Sequence, residues 1–270
     1  MSTSTPTRLR AGEHAFSAVA ALLFFASTAA TIVWCRSMSA SSSMAGEMPM
    51  SGGWTMSMAW MRMPEQTWAG ASFLGMWIVM MVAMMLPSLL PMLRRYRVAV
   101  GGPGGPRLGR LTALVGIGYF LVWTLFGVVA FPLGVALAEI EMRQPVLAHA
   151  VPIAVGVVVL LAGLLQLTTW KAQHLACCRE MPGRSRGLSA GAGAAWRYGV
   201  RLGIHCGYCC AGLMVILLVV GVMDLRAMAG VTAAITLERL APAGERIARA
   251  TGAVVVVVGF LLIARAAGLG

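Results

Sequence analysis

The chain has 270 residues, 59% of them hydrophobic and 11% charged, with a mean hydropathy of +0.82. Soluble domains run about 45–50% apolar and roughly 25% charged, so this chain has too little polar surface for a soluble enzyme, a nucleic-acid-binding domain or a disordered tail. Twenty-one basic residues against nine acidic ones give a net charge of +12, and every basic residue except Lys171 is Arg; in so apolar a chain that surplus orients membrane spans rather than binding nucleic acid.

The expected fold class is all-α, a polytopic transmembrane helix bundle forming one integral membrane domain over residues 1–270, with the lipid bilayer as its solvent. A spanning helix needs about 20 mostly apolar residues. The first candidate is 15–34. Arg8 and Arg10 precede it as in a signal peptide, but the run is long and Trp34-Cys35-Arg36 is a poor cleavage site, so it reads as a retained anchor. Five more spans follow near 69–93, 111–138, 148–168, 200–222 and 250–267. Pro87 and Pro91 are expected to kink the inner end of the second. Between the fifth span and the last, residues 223–240 hold an apolar core of only eleven residues, Ala227–Leu237, flanked by Asp224, Arg226, Glu238 and Arg239. That length suits a re-entrant, interfacial or tilted short helix.

The positive-inside rule places the N-terminus (Arg8, Arg10), the 94–110 loop and the 171–201 loop in the cytoplasm, and the 37–63 and 139–143 loops outside. The expected location is the inner (plasma) membrane with a cytoplasmic N-terminus. Arg239, Arg246 and Arg249 fall on the cytoplasmic side only if 223–240 makes a seventh span. Charge thus favours seven spans and hydropathy six, and both remain open. The GGPGGP run at 101–106 reads as a flexible turn, and the Gly, Ala, Ser and Arg stretch 182–195 as a mobile link before the fifth span.

Chemistry concentrates in three places. Residues 205–210 read His205-Cys206-Gly207-Tyr208-Cys209-Cys210. On a helix, positions three and four apart share a face, so His205 with Cys209, Cys206 with Cys209 and Cys206 with Cys210 converge within little more than a turn. Soft thiolates with imidazole suit Cu(I), zinc or Fe–S chemistry. The plain alternative is that cysteine packs as a small hydrophobe; against it, a His at membrane depth marks a functional site by default. The second place is His174, Cys177 and Cys178, just past the fourth span. If this stretch is helical it presents a second His–thiolate face, and the two clusters build one site from both ends of the intervening loop.

Methionine is the third signal. Met38, Met44, Met48, Met50, Met56, Met58, Met61 and Met63 crowd the first outer loop. Thioethers are soft, uncharged ligands, so Met44, Met48, Met50, Met56 and Met58 form a candidate Cu(I)-capturing set. The alternative is a membrane-surface loop anchored by Trp54, Trp60 and Trp68. In the second span Met80, Met84 and Met81, Met85 run at a spacing of four, as a relay leading inward or as adaptable core filler. Asp224 could assist metal or proton passage, and Glu238-Arg239 reads as an internal or interfacial ion pair.

The run WIVMMVAMMLPS (77–88), KAQHLACCR (171–179), GIHCGYCCAGLM (203–214), GVMDLRAM (221–228) and Glu238-Arg239-Leu240-Ala241-Pro242 occur in that order. Together they resemble a bacterial domain-of-unknown-function family, DUF 2182, of predicted metal-binding integral membrane proteins, over roughly residues 70–260. Some of its members carry the label of copper chaperones. Members often have one Cys where this chain has Cys177-Cys178 and Cys209-Cys210. The resemblance implies a metal-binding membrane protein and defines no catalytic activity.

The expected function is therefore metal handling, with copper as the metal and zinc as the second fit, by chaperoning, transport or assembly of a copper enzyme. Its partners would be a periplasmic copper protein or a membrane copper enzyme. No GxxxxGK[ST] phosphate loop is present, which argues against ATP-driven pumping by this chain alone. Two other classes compete: a membrane thiol oxidoreductase using Cys206 and Cys209, and a structural subunit of a larger membrane complex.

Overall fold

The computed structural model describes residues 5–45, 69–100, 106–180, 191–222 and 224–268. Nearly all of these are helical, with no strand among the described residues, in the order α1 (Thr5–Ala45), α2 (Ala69–Val100), α3 (Pro106–Arg143), α4 (Pro145–Gln166), α5 (Thr169–Glu180), α6 (Ala192–Val220), α7 (Leu225–Leu240) and α8 (Gly244–Ala266). The all-α bundle is as the hydropathy requires. Five helices, α1, α2, α3, α6 and α8, are each long and apolar enough to cross a membrane. A sixth crossing exists if α4 and α5, bent by 62° at their junction, count as one broken span. α7 is not among them, so the seventh span favoured by charge is not supported among the described residues.

Several boundaries differ from expectation for local reasons. α1 continues to Ala45, so residues 37–45 are helix rather than loop; the stretch Arg36–Ala45 has neither Gly nor Pro, and Gly46 is the first breaker. α2 passes through Pro87 and Pro91 without interruption. α3 opens on Pro106, where a missing N–H costs nothing. α6 begins at Ala192, so the mobile link expected over 182–195 is helical in its last residues. The turn at 101–105 and the link at 181–190 lie outside the described residues, as do Met48, Met50, Met56 and Met58 of the capture set.

The break between α4 and α5 has a visible cause. Leu167 N–H turns back to Leu164 O at 3.0 Å and Thr168 N–H to Leu165 O at 3.2 Å. Thr168 donates its hydroxyl to Leu165 O at 2.7 Å and accepts from Lys171 N–H at 3.4 Å, which ends one helix and N-caps the next. The bend carries α5 across α6. α7 starts on Asp224, whose carboxylate accepts from Arg226 N–H (2.7 Å) and Ala227 N–H (3.1 Å). Asp224 thus serves as the N-cap of α7.

Two helix pairs form the closest contacts, α4 with α8 and α3 with α6. Glycines let both pairs approach, as small residues do where lipid leaves packing as the driving force. A Cβ on Gly199 would collide with the carbonyl of Val115, and one on Gly203 would lie 2.9 Å from Tyr119 O. α2 is locked to α3 by Trp77 Nε1–H donating to Trp123 O at 2.8 Å. The core lies between α2, α3, α5, α6 and α7, and contains Met76, Met80, Met81, Met84, Met85, Met92, Met214 and Met228 together with four of the cysteines of the two clusters.

Candidate metal centre

Helical periodicity divides the 205–210 motif into two faces. Cys206, Cys209 and Cys210 turn inward and are buried, whereas Tyr208 is exposed and His205 half-buried. The same holds on α5. Lys171, Leu175 and Cys178, at i, i+4 and i+7, point into the core, while His174 and Cys177 are half-buried on its flank. The fold therefore gathers Cys178, Cys206, Cys209 and Cys210 and leaves the two histidines and Cys177 outside that cluster. Of the doubled pair on α5, Cys178 is the inward member. Both members of the pair on α6 are buried.

Cys206 Sγ is the focus. It accepts from Tyr119 Oη–H at 3.0 Å and from an Arg239 NH1 hydrogen at 3.0 Å, and lies 3.8 Å from Cys210 Sγ. Cys209 Sγ is in side-chain hydrogen-bond contact with both Cys178 and Cys210. The Cys178 thiol also donates to His205 O at 3.3 Å. A neutral thiol is a weak acceptor; a sulfur that receives a guanidinium and a phenol together suits the thiolate, which is also the metal-binding form.

Arg239 and Glu238 are both buried but do not pair with each other, correcting the expected ion pair. Adjacent helical residues do not face one another. Glu238 turns to α5 and meets Lys171 Nζ at 2.8 Å, while Gln166 Nε2–H donates to its other oxygen at 3.1 Å. Lys171 Nζ also donates to Cys209 O at 2.6 Å. Burial pushes the Glu238 carboxyl above the usual carboxylate range, and Lys171 beside it pulls the other way. Arg239 instead donates to Ser88 Oγ at 3.0 Å as well as to Cys206, and Ser88 Oγ–H donates to Met85 O at 3.0 Å. Its Nε–H and NH2 groups have no hydrogen-bond partner. An arginine cannot shed its proton, so a positive charge sits beside the thiols with no carboxylate on it. Tyr119, Arg239 as a donor to sulfur, Lys171, Gln166 and Ser88 escaped the sequence reading. The late Glu238-Arg239 pair pointed toward them, and the 77–88 and 171–179 motifs contained Ser88 and Lys171 without giving them a role.

The histidines make a separate surface group. His174 stacks on Trp170 (ring centroids 4.2 Å apart), lies 5.8 Å from the Tyr208 ring and places Nδ1 2.9 Å from Trp170 O. His205 Nδ1 is buried without a hydrogen-bond partner. Met80, Met81, Met84 and Met85 are all buried in the same core as the thiols. Met81, Met85 and Ser88 recur on one face of α2, the face whose Ser88 reaches Arg239. Met44 lies near the end of α1.

Among the described residues, no three or more His, Cys, Asp or Glu side chains stand in the geometry of a ready metal site. What the structure does offer is a buried set of soft donors with a guanidinium beside it that no carboxylate pairs. Thiolate and thioether donors of this kind suit Cu(I), zinc or Fe–S chemistry.

No curated protein and no solved structure matches the chain. One family model does, over residues 74–262, described as PpoB2, copper chaperone. The match runs from α2 nearly to the end of α8 and takes in the thiol cluster, Arg239 and the α2 methionines. α1 and the Met-rich segment fall outside it. It supports the copper part of the resemblance drawn from the motifs and does not carry the DUF 2182 label itself. The match spans well over half of the sequence, and the chain belongs to the PpoB2 copper chaperone family.

Proposed function

We propose that the chain is an inner-membrane Cu(I) chaperone that holds its cargo on the buried thiols Cys206, Cys209 and Cys210 of α6 with Cys178 of α5. The observation that carries this reading is the pairing of those thiols with Arg239. Two thiolates on one Cu(I) leave one net negative charge, which the unpaired guanidinium balances, whereas four thiolates on Zn(II) would leave two. A buried charge without a counter-charge costs several kcal/mol, so this environment favours the copper dithiolate. Lys171 and Glu238 already neutralise each other and add no net charge.

In this reading Met44, Met48, Met50, Met56 and Met58 collect Cu(I) at the outer face, and Met80, Met81, Met84 and Met85 carry it toward Ser88 and Cys206. His174 and His205 lie where a metal would be passed on at the other end. The motif resemblance to DUF 2182 supports the same assignment. The N-terminus is cytoplasmic, and the partners are a periplasmic copper protein that delivers the metal at the outer face or a membrane copper enzyme that receives it. The deciding experiment is Cu(I) titration of the purified chain under reductant, with Zn(II) as competitor. Tight Cu(I) binding that Zn(II) does not displace is the expected result. Binding of neither metal, or equal competition by zinc, would overturn the proposal.

A further inference from the structure

α1 packs on α2 and scarcely touches α3. Between the three helices runs a cavity of about 1040 Å³, separate from the thiols. Its walls are Val19 and Leu23 of α1, Leu86 and Leu90 of α2, and Ile117 and Leu121 of α3. The hydroxyls of Thr112 and Thr124 also reach it, but each is spent on its own helix, on Leu108 O and Phe120 O. The α3 side is scooped out at Gly109 and Gly116, where an added Cβ would meet nothing within 4 Å.

One end of this apolar cleft is charged. Arg97 lines it and is only 8% exposed. Its NH2 donates to Gly12 O at 3.3 Å and its guanidinium lies 4.7 Å over the Phe16 ring. Nε stands 3.5 Å from the half-exposed Glu13 carboxylate but makes no hydrogen bond. Arg94 reaches Ser17 of α1 nearby, at 3.4 Å. Two guanidiniums thus face one carboxylate at the end where α2 finishes and α3 begins, which the charge rule assigns to the cytoplasmic leaflet.

A long apolar slot with a net cationic mouth at the membrane surface matches one class of molecule. We propose that the cleft between α1, α2 and α3 is a binding site for an anionic phospholipid. Its phosphate sits at Arg97 and Arg94, and an acyl chain lies along Gly116 and Ile117. The charge surplus at the mouth selects against a zwitterionic lipid, as basic pockets between membrane helices do.

The test uses the full chain, purified in detergent and supplied with phosphatidylglycerol or phosphatidylcholine in mixed micelles. Native mass spectrometry is expected to show a phosphatidylglycerol adduct that survives delipidation, and Tm is expected to rise with phosphatidylglycerol content more than with phosphatidylcholine. Gly116→Phe should remove the adduct and the Tm response while leaving the helical circular dichroism and Cu(I) binding unchanged. Arg97→Gln should abolish the preference between the two lipids. Because a Cβ added at Gly116 would meet nothing within 4 Å, that variant stays informative if Arg97→Gln loosens α1. Equal response to both lipids, an adduct that persists in Gly116→Phe, or a dimer that Gly116→Phe splits, which would make a second copy the occupant, would each overturn the proposal. None of these results depends on the copper assignment.

Discussion

At the scale of single residues, the centre is defined by which sulfurs turn inward. Cys206→Ser and Cys209→Ser replace a soft ligand with a hydroxyl that can still hydrogen-bond within α6. Each is expected to lose most bound Cu(I) at unchanged helical content. Cys177→Ser, on the flank of α5, is expected to retain it, and Cys178→Ser to behave like the α6 variants. Full stoichiometry in both Cys206→Ser and Cys209→Ser, measured on folded protein, would make those cysteines packing residues. The two buried cations nearest the thiols, Lys171 and Arg239, give opposite outcomes. Glu238→Gln leaves Lys171 buried and unpaired, which costs about 3–5 kcal/mol and should appear as a large fall in Tm. Arg239→Met removes a charge that has no carboxylate partner. Replacing buried charge by apolar volume is often neutral or stabilising by about 1–4 kcal/mol, so the metal-free Tm should not fall. Cu(I) affinity should drop by about tenfold or more, equivalent to about 1.4 kcal/mol. A parallel loss of Tm and affinity would make Arg239 purely structural.

At the scale of elements, α6 is positioned by how closely it lies on α3, and that spacing puts Tyr119 on Cys206. Gly199→Leu would drive a side chain into the Val115 carbonyl. Overpacking of this kind costs about 1–3 kcal/mol, and moving α3 away should weaken Cu(I) binding although residue 199 touches no sulfur. Gly207 lies on the same helix inside the thiol motif, yet a Cβ there meets nothing within 4 Å. Gly207→Ala should preserve Cu(I) binding and leave stability unchanged or raised by up to about 1 kcal/mol. Thermal unfolding of the two variants side by side checks the pair. Similar losses in both would remove helix spacing as the explanation.

At the scale of the whole molecule, the charge distribution predicts how the bundle is oriented, and on the proposed function it predicts the direction of copper traffic. Reporter fusions after Arg97 and after Arg186 are expected to signal cytoplasm, and fusions near Ser51 the exterior; an exterior signal at Arg186 would reverse the route. Replacing Met44, Met48, Met50, Met56 and Met58 by Leu keeps hydrophobicity and removes the thioethers. Copper uptake or tolerance should change at equal protein level. An unchanged phenotype would leave the segment as a membrane-surface anchor. Thiolates must shed protons to bind metal, so Cu(I) occupancy should fall as pH is lowered.

Local and compositional information determined a good deal of this protein. Apolar runs of spanning length announce the helices, since the bilayer admits few alternatives, and a spacing of three or four residues suffices to put Cys206, Cys209 and Cys210 on one face of α6. Other features depended on contacts between residues far apart in the chain. The 62° bend after α4 carries α5 over α6, and this selects Cys178 over its neighbour Cys177 and leaves His174 outside. Sequence adjacency made Glu238 and Arg239 look like a pair, yet helical geometry sends one to Lys171 and the other to Cys206, 33 residues away. Tyr119, 87 residues from Cys206, carried no local signal at all. Periodicity specifies which face of a helix is buried; which distant side chain meets that face is decided only when the glycine-lined contact of α3 with α6 and the packing of α7 bring the partners together.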